Sequence, residues 1–367
     1  MKIEFYHIDA FEVANYEPIW RKLIAMGVEA RMVAVHSNHN TAEPGWFDYD
    51  RFSDYCAERE IPFTTEVDPL ADIGITTQNA DILRDYSYRV RLMYGPVVYP
   101  AAWALQPHSV KHFDAVLTHG QTYTDYFSSW LPREQLPIIG YPRYDNFFAG
   151  KLQKEEIHER WGLTNKKPVL VFLPTWGNNT GFDTFFPALL ALADRYHIVL
   201  RPHHCTLRFE FERMELMRNS GLLILNNAFD LDEIYAGADV VVADVRSGGL
   251  FEAFTCGVPA VGMILDATDL DWLVQAGVDK MASLCSNPDD LASALEVAIT
   301  SAAQVIKRQQ WAERNVAYRD GDAAQQAAEA LITLAMAKSI KKTQILPMKN
   351  GVGSLLTPVF KTNLDNN

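Results

Sequence analysis

The stretch DVRSGGLFEAFTCGVP, from Asp244 to Pro259, follows the β-branched run DVVVAD and precedes PAVGMIL. Apolar run, Gly-rich turn, apolar helical pattern, Gly-Val-Pro stop and second apolar run together spell strand, turn, helix, strand, which is one βαβ unit of a parallel sheet. Open parallel sheets bind ligands at the carboxyl ends of their strands, where helix N-termini direct free N–H groups outward. Here that end carries Asp244, Ser247, Gly248 and Gly249. Two residues without side chains let a diphosphate approach the backbone. Ser247 can cap the helix or donate to a phosphate, and the helix dipole favours the anion. Glu252 lies four residues after Gly248, about one helical turn inward, and can project toward a vicinal diol such as a ribose.

Two more strand ends carry chemistry. After HIVLR come Arg201, Pro202, His203 and His204. Arg201 can clamp a phosphate through its planar fork, and His203 can donate to a phosphate oxygen or protonate a leaving diphosphate. Adjacent histidines in an extended segment point to opposite sides, so no shared metal is expected. After VLVFLP come Thr175, Trp176, Gly177, Asn178 and Asn179, a turn able to bring backbone and hydroxyl groups to a ligand. Asp230 and Glu233 in FDLDEI fit a helix capping box better than a metal motif.

Working outward, strands are expected at KIEFYHI, ARMVAV, PFTTEV, DIGITT, RVRLMY, DAVLTH and PIIGY, all before residue 142. The polar stretch AGKLQKEEIHERWGLTNKKP interrupts this rhythm, which then restarts at VLVFLP. The 367 residues therefore divide into an N-terminal Rossmann-like domain, 1–155, and a second such domain, 165–320. A helix over 321–340 could pack back on the first domain, and 341–367 reads as a loosely ordered tail. Helices are also expected at Tyr16 to Met26 and Phe209 to Asn219. With 48% apolar and 22% charged residues the chain can fold, and its net charge of −13 argues against nucleic acid as a partner. Cys56, Cys205, Cys256 and Cys285 show no zinc spacing, and no leader or apolar span is evident. A cytoplasmic location is expected, with a basic and apolar tail (Lys341, Lys342, Leu355, Phe360) able to touch a membrane surface.

With these strand ends in order, residues 85 to 330 resemble the CDP-glycerol glycerophosphotransferase family of teichoic-acid and capsule synthesis. The resemblance rests on GYPRYDNFF at Gly140 to Phe148, KKPVLVFLPTWGNN, LRPHH, DLDEIYAGADVVVADVRSGG and YRDGDAA. It implies a GT-B fold, two Rossmann-like domains with parallel sheets facing a central cleft. By that resemblance His203 corresponds to the histidine beside the donor phosphates, and Asp244 and Ser247 to the family's Asp and Ser after the late strand. The form SGGLFEAFTCGVP also looks like the wider nucleotide-sugar transferases and the UDP-N-acetylglucosamine 2-epimerases, in which the matching glutamate holds ribose. The family's His-Gly-Pro motif, whose histidine is the proposed acceptor base, reads Tyr94, Gly95, Pro96 here. His119, His108 or Asp72 could substitute, with His119 at the end of DAVLTHG the first choice.

The expected function is transfer of glycerol phosphate, or a related group, from a CDP-linked donor to a glycan or polyol-phosphate acceptor at the inner face of the plasma membrane. No cofactor and no metal is expected. Alternatives are a nucleotide-sugar glycosyltransferase or UDP-sugar 2-epimerase on the same fold, and a non-catalytic nucleotide- or partner-binding protein.

Overall fold

The computed structural model describes residues 1–7, 10–34, 49–78, 80–93, 95–96, 105–163, 166–225 and 231–344. Tyr94, Asp230 and the tail from residue 345 lie outside these, so the expectations placed on them have no structural counterpart here.

The first sheet contains β1 (Lys2–His7), β2 (Glu29–Ala34), β3 (Phe63–Thr64), β4 (Ile73–Thr76), β5 (Arg89–Leu92) and β6 (Ala115–Leu117). The second contains β7 (Val169–Leu173), β8 (His197–Leu200), β9 (Leu223–Ile224), β10 (Val240–Asp244), β11 (Ala260–Met263) and β12 (Ser283–Cys285). Their orders are β3-β2-β1-β4-β5-β6 and β12-β11-β10-β7-β8-β9, all parallel. Read from β9, the second order repeats the first, so each sheet reverses direction once, between β1 and β4 and between β7 and β10. Every residue of β7 and β10 is buried, as a strand covered by helices on both faces requires.

Helices α1 (Ala10–Ala25), α2 (Tyr49–Glu58) and α3 (Gln121–Phe127) belong to the first half, and α4 (Asp145–Phe148) and α5 (Lys154–Arg160) to the connection. The second half holds α6 (Phe182–Leu190), α7 (His204–Phe209), α8 (Phe211–Asn219), α9 (Leu231–Gly237), α10 (Gly248–Thr255), α11 (Asp269–Gln275) and α12 (Leu291–Thr300). Then come α13 (Ala302–Asn315) and α14 (Ala323–Gln344). None of the described helices is long and apolar enough to cross a membrane.

Three local expectations are corrected. PIIGY forms no strand: Pro137 has no N–H for a ladder, and pairing is limited to one bridge between Thr118 and Ile138. The helix expected from Phe209 is two helices broken at Glu210, whose carboxylate instead accepts from Thr206 Oγ1 at 2.6 Å and Gly177 N at 2.8 Å. Asp72 precedes β4 and accepts the Lys2 backbone N–H at 2.9 Å, so it lies at the amino ends of the strands, away from any strand-end site.

The last helix returns to the first sheet. Ala327, Ala328, Leu331, Leu334 and Ala335 of α14 join the core beneath β1, beside Val13, Tyr16 and Ile19 of α1. Asp145 sets the start of this helix, since its two oxygens accept from Ala323 N at 3.1 Å and Ala324 N at 2.8 Å. Gly140, at the start of GYPRYD, holds φ +75, and a Cβ there would stand 2.5 Å from the Ala317 carbonyl and 2.8 Å from Ala323 Cβ. Gly150 has φ +65 with nothing within 4 Å of such a Cβ. Gly150→Ala should therefore show only the left-handed backbone penalty of about 1 kcal/mol, while Gly140→Ala should lose at least about 2 kcal/mol more by urea unfolding. Equal losses would contradict the close approach at Gly140.

Candidate functional site

The second sheet's switch point separates the ends of β7 and β10, and Asp244 ties those ends together. Its carboxylate accepts from Thr175 N at 2.7 Å and Gly181 N at 2.6 Å, so it shapes the loop after β7. Trp176 on that loop stacks beside His203 at 6.2 Å with the rings 20° apart.

Beyond Asp244 the chain turns into α10. Ser247 is its N-cap, with Oγ accepting from Gly249 N at 3.1 Å, a contribution of about 1 kcal/mol to holding the helix start. A Cβ at Gly248 would meet nothing within 4 Å. The first turn is thus open toward the cavity in front of it, and the dipole of the eight-residue helix ends there.

At the end of β8 the histidines are not arranged as an extended segment would place them. His203 is the N-cap of α7 and His204 its first residue, so the side chains no longer alternate, and their rings pack 4.1 Å apart. The ligand-type atoms of His203, His204 and Cys205 lie within 4.8 Å of one another, which corrects the expectation that the two histidines diverge. His203 Nδ1 accepts the Cys205 N–H at 3.2 Å. The ring proton is therefore on Nε2, available as a donor. Burial, then His204 and Arg201, hold its pKa well below the usual histidine value, so the unliganded ring is neutral.

Arg143 is the residue that sequence reasoning left without a role. It stands in GYPRYD yet lines the same cavity as Arg201, His203, Ser247, Gly248 and Glu252, a space of ≈ 120 Å³. Burial and the charge of Arg143 both push the Arg201 pKa down. For Arg143 burial opposes the charge, but Tyr141, Tyr144 and Glu252 outweigh it and the pKa is raised. Two mutually repelling guanidiniums face one small cavity, and a polyanion there would relieve the repulsion.

Glu252 is buried between two hydroxyls. Tyr141 donates to Oε1 at 2.9 Å, and the single Tyr235 hydroxyl proton is shared between the Gly249 carbonyl at 2.9 Å and Oε2 at 3.1 Å. Because Tyr141 closes the first half, this carboxylate joins the halves beside the cavity. His119 lies one ring further back, fully buried and 4.4 Å from the Tyr141 ring. Its Nδ1–H donates to the Gly140 carbonyl at 2.8 Å, leaving an Nε2 lone pair in the interior, and burial pushes its pKa down to about 4. It does not line the cavity. The side chain of His108 lies outside the described set.

Asp244 gives the site a pH signature. Burial raises its carboxyl from 3.8 to about 6, against the pull of the Thr175 and Gly181 N–H groups. The folded chain thus keeps a proton that the unfolded chain releases as pH rises from 3.8 to about 6, so stability from this group falls through that window and is level above it. The full change is on the order of 3 kcal/mol. Asp244→Asn lacks this titration. The stability difference, wild type minus variant, should fall across that window in urea unfolding, and a constant difference would contradict the assignment.

The model of the CDP-glycerol:poly(glycerophosphate) glycerophosphotransferase family matches residues 105–254. No curated protein matches the sequence. Among solved structures, the chain is similar to the wall teichoic acid polymerase TagF, in a histidine-to-asparagine variant soaked with CDPG. The identity is 18%, covering 94% of this chain and 90% of that one, with a TM-score of 0.62. It is also similar to UDP-GlcNAc 2-epimerases from Methanocaldococcus jannaschii (12% identity, 92% and 100% covered, TM-score 0.61) and Neisseria meningitidis (12%, 91% and 100%, 0.58). At these identities the structures establish the fold, which is GT-B-like. The match to the CDP-glycerol glycerophosphotransferase family model covers residues 105–254, the stretch that carries Arg143, Arg201, His203, Ser247 and Glu252.

Proposed function

We propose that the cavity between β7, β8 and α10 holds the phosphates of a CDP-linked donor, and that the enzyme transfers glycerol phosphate from it to a polyol-phosphate or glycan acceptor. The observation that carries this is the convergence on one cavity of Arg143, Arg201 and the open first turn of α10, within the family-matched segment. In the transfer, an acceptor hydroxyl oxygen attacks the phosphorus bearing the glycerol. The bond from that phosphorus to the bridging oxygen breaks, CMP departs with the electron pair, and the hydroxyl proton is released. Arg143, Arg201, the His203 Nε2–H and the α10 N–H groups would offset the charge gathering on CMP. His203 is the catalytic candidate, donating to the departing phosphate. His119 contributes through Tyr141, whose ring it supports. Glu252 stands where the ribose hydroxyls would reach, with Tyr141 and Tyr235 fixing its carboxylate. The proposed place of action is the cytoplasmic face of the membrane, where nucleotide-linked donors are available.

Calorimetric titration separates the donor classes. CDP should bind more tightly than CMP by about tenfold or more, because the second phosphate meets both guanidiniums, and Arg143→Ala should remove most of that preference. Equal affinity for CDP and CMP, or a clear preference for UDP, would overturn the CDP-donor assignment. In turnover followed by mass spectrometry of CMP release, His203→Ala should lower kcat by about a hundredfold while changing CDP affinity less. Unchanged kcat would remove His203 from the reaction.

A further inference from the structure

On the far side of α10 from the donor cavity lies a groove of ≈ 480 Å³. It is bounded by Thr122 at the start of α3, by the segment after α11 with Lys280, and by α13 with Lys307, Gln310, Trp311 and Arg314. Among the described residues three cations and no carboxylate line it, in a chain whose net charge is −13. Among the described residues none of the three makes an ion pair, and Asp125, which feels the charge of Arg314, is taken by Arg133. Lys307 and Arg314 are seven residues apart on one helix, so their positions are about 10 Å apart along the groove. Beneath them Arg308 is fully buried. Its Nη1 donates to the carbonyl of Met281, in the groove wall, at 2.8 Å, and its Nε and Nη2 have no partner among the described residues. A buried guanidinium with no carboxylate beside it adds to the positive potential of the groove.

We propose that this groove binds a linear molecule carrying successive phosphate groups, at a site separate from the donor cavity. Positive charges spread along about two helical turns suit spaced phosphodiesters better than a single phosphate ion. Thr122 of α3, whose hydroxyl donates to the Arg314 carbonyl at 3.4 Å, closes the groove at one end, so it is a recess bounded by α13 and the segment after α11. Trp311 on its floor packs on Phe251 and Phe254 of α10 at 6.2 and 5.8 Å, and the same helix presents Glu252 to the donor cavity. Occupation of the groove can therefore be sensed at the donor cavity through one rigid element.

The test is calorimetry on the full chain at low ionic strength, with short oligo(glycerol phosphate), inorganic phosphate and phosphatidylglycerol vesicles as probes and CDP as a separate titrant. The oligomer should bind saturably and more tightly than inorganic phosphate. The triple variant Lys280→Gln, Lys307→Gln, Arg314→Gln should bind the oligomer at least about tenfold more weakly, with CDP affinity unchanged. Equal oligomer binding by variant and wild type, inorganic phosphate binding as tightly as the oligomer, or binding to vesicles alone would overturn the proposal. Failure of CDP to bind either protein would speak against the donor cavity and leave the groove result standing.

Discussion

Glu252 is a nearly buried carboxylate at the edge of the cavity, and it meets tyrosine hydroxyls from opposite directions. Tyr235 reaches it from within the second half and Tyr141 from the segment that closes the first. Removing one hydroxyl from beside such a buried carboxylate costs about 1–3 kcal/mol, so the contact helps fix how the two halves meet. Much else follows along the GYPRYD segment. Gly140 turns the chain through a left-handed conformation against Ala317, and Tyr141 reaches Glu252. Arg143 then faces the cavity, and Asp145 receives the first N–H groups of α14.

The same arrangement explains why the cavity is charged before any ligand arrives. Arg143 comes from the first half's closing segment and Arg201 follows β8, and both line the one cavity. Their repulsion is tolerated because Glu252 and the surrounding tyrosines stand beside them. In the proposed transfer, donor groups preset around a small space would need little reorganisation as charge develops on the departing phosphate. Neutral His203, with its proton directed to Nε2 by the Cys205 N–H, adds a donor without adding to the repulsion.

Much of this was legible in the sequence wherever the cause is local. Strands buried on both faces announce themselves as unbroken apolar runs, and a Ser-Gly-Gly step after such a run marks a helix start, so β10, the Ser247 cap and α10 could be read directly. The role of Arg143 could not, because nothing near it in the chain is a strand end, and its place depends on a tyrosine meeting a glutamate 111 residues away. The histidines were misread because the helix cap at His203 redirects the side chains, and a cap that uses a histidine nitrogen has no familiar pattern. Asp72 fails as a base because it precedes β4, at the amino ends of the parallel strands and opposite the ends where ligands bind.

The most direct test of the central claim is a crystal structure of the chain soaked with CDP. Both phosphates should lie in the cavity of Arg143 and Arg201, with the terminal one within hydrogen-bond reach of the first N–H groups of α10 and the ribose hydroxyls toward Glu252. CDP found with its phosphates elsewhere, such as in the groove of Lys280, Lys307 and Arg314, would contradict it.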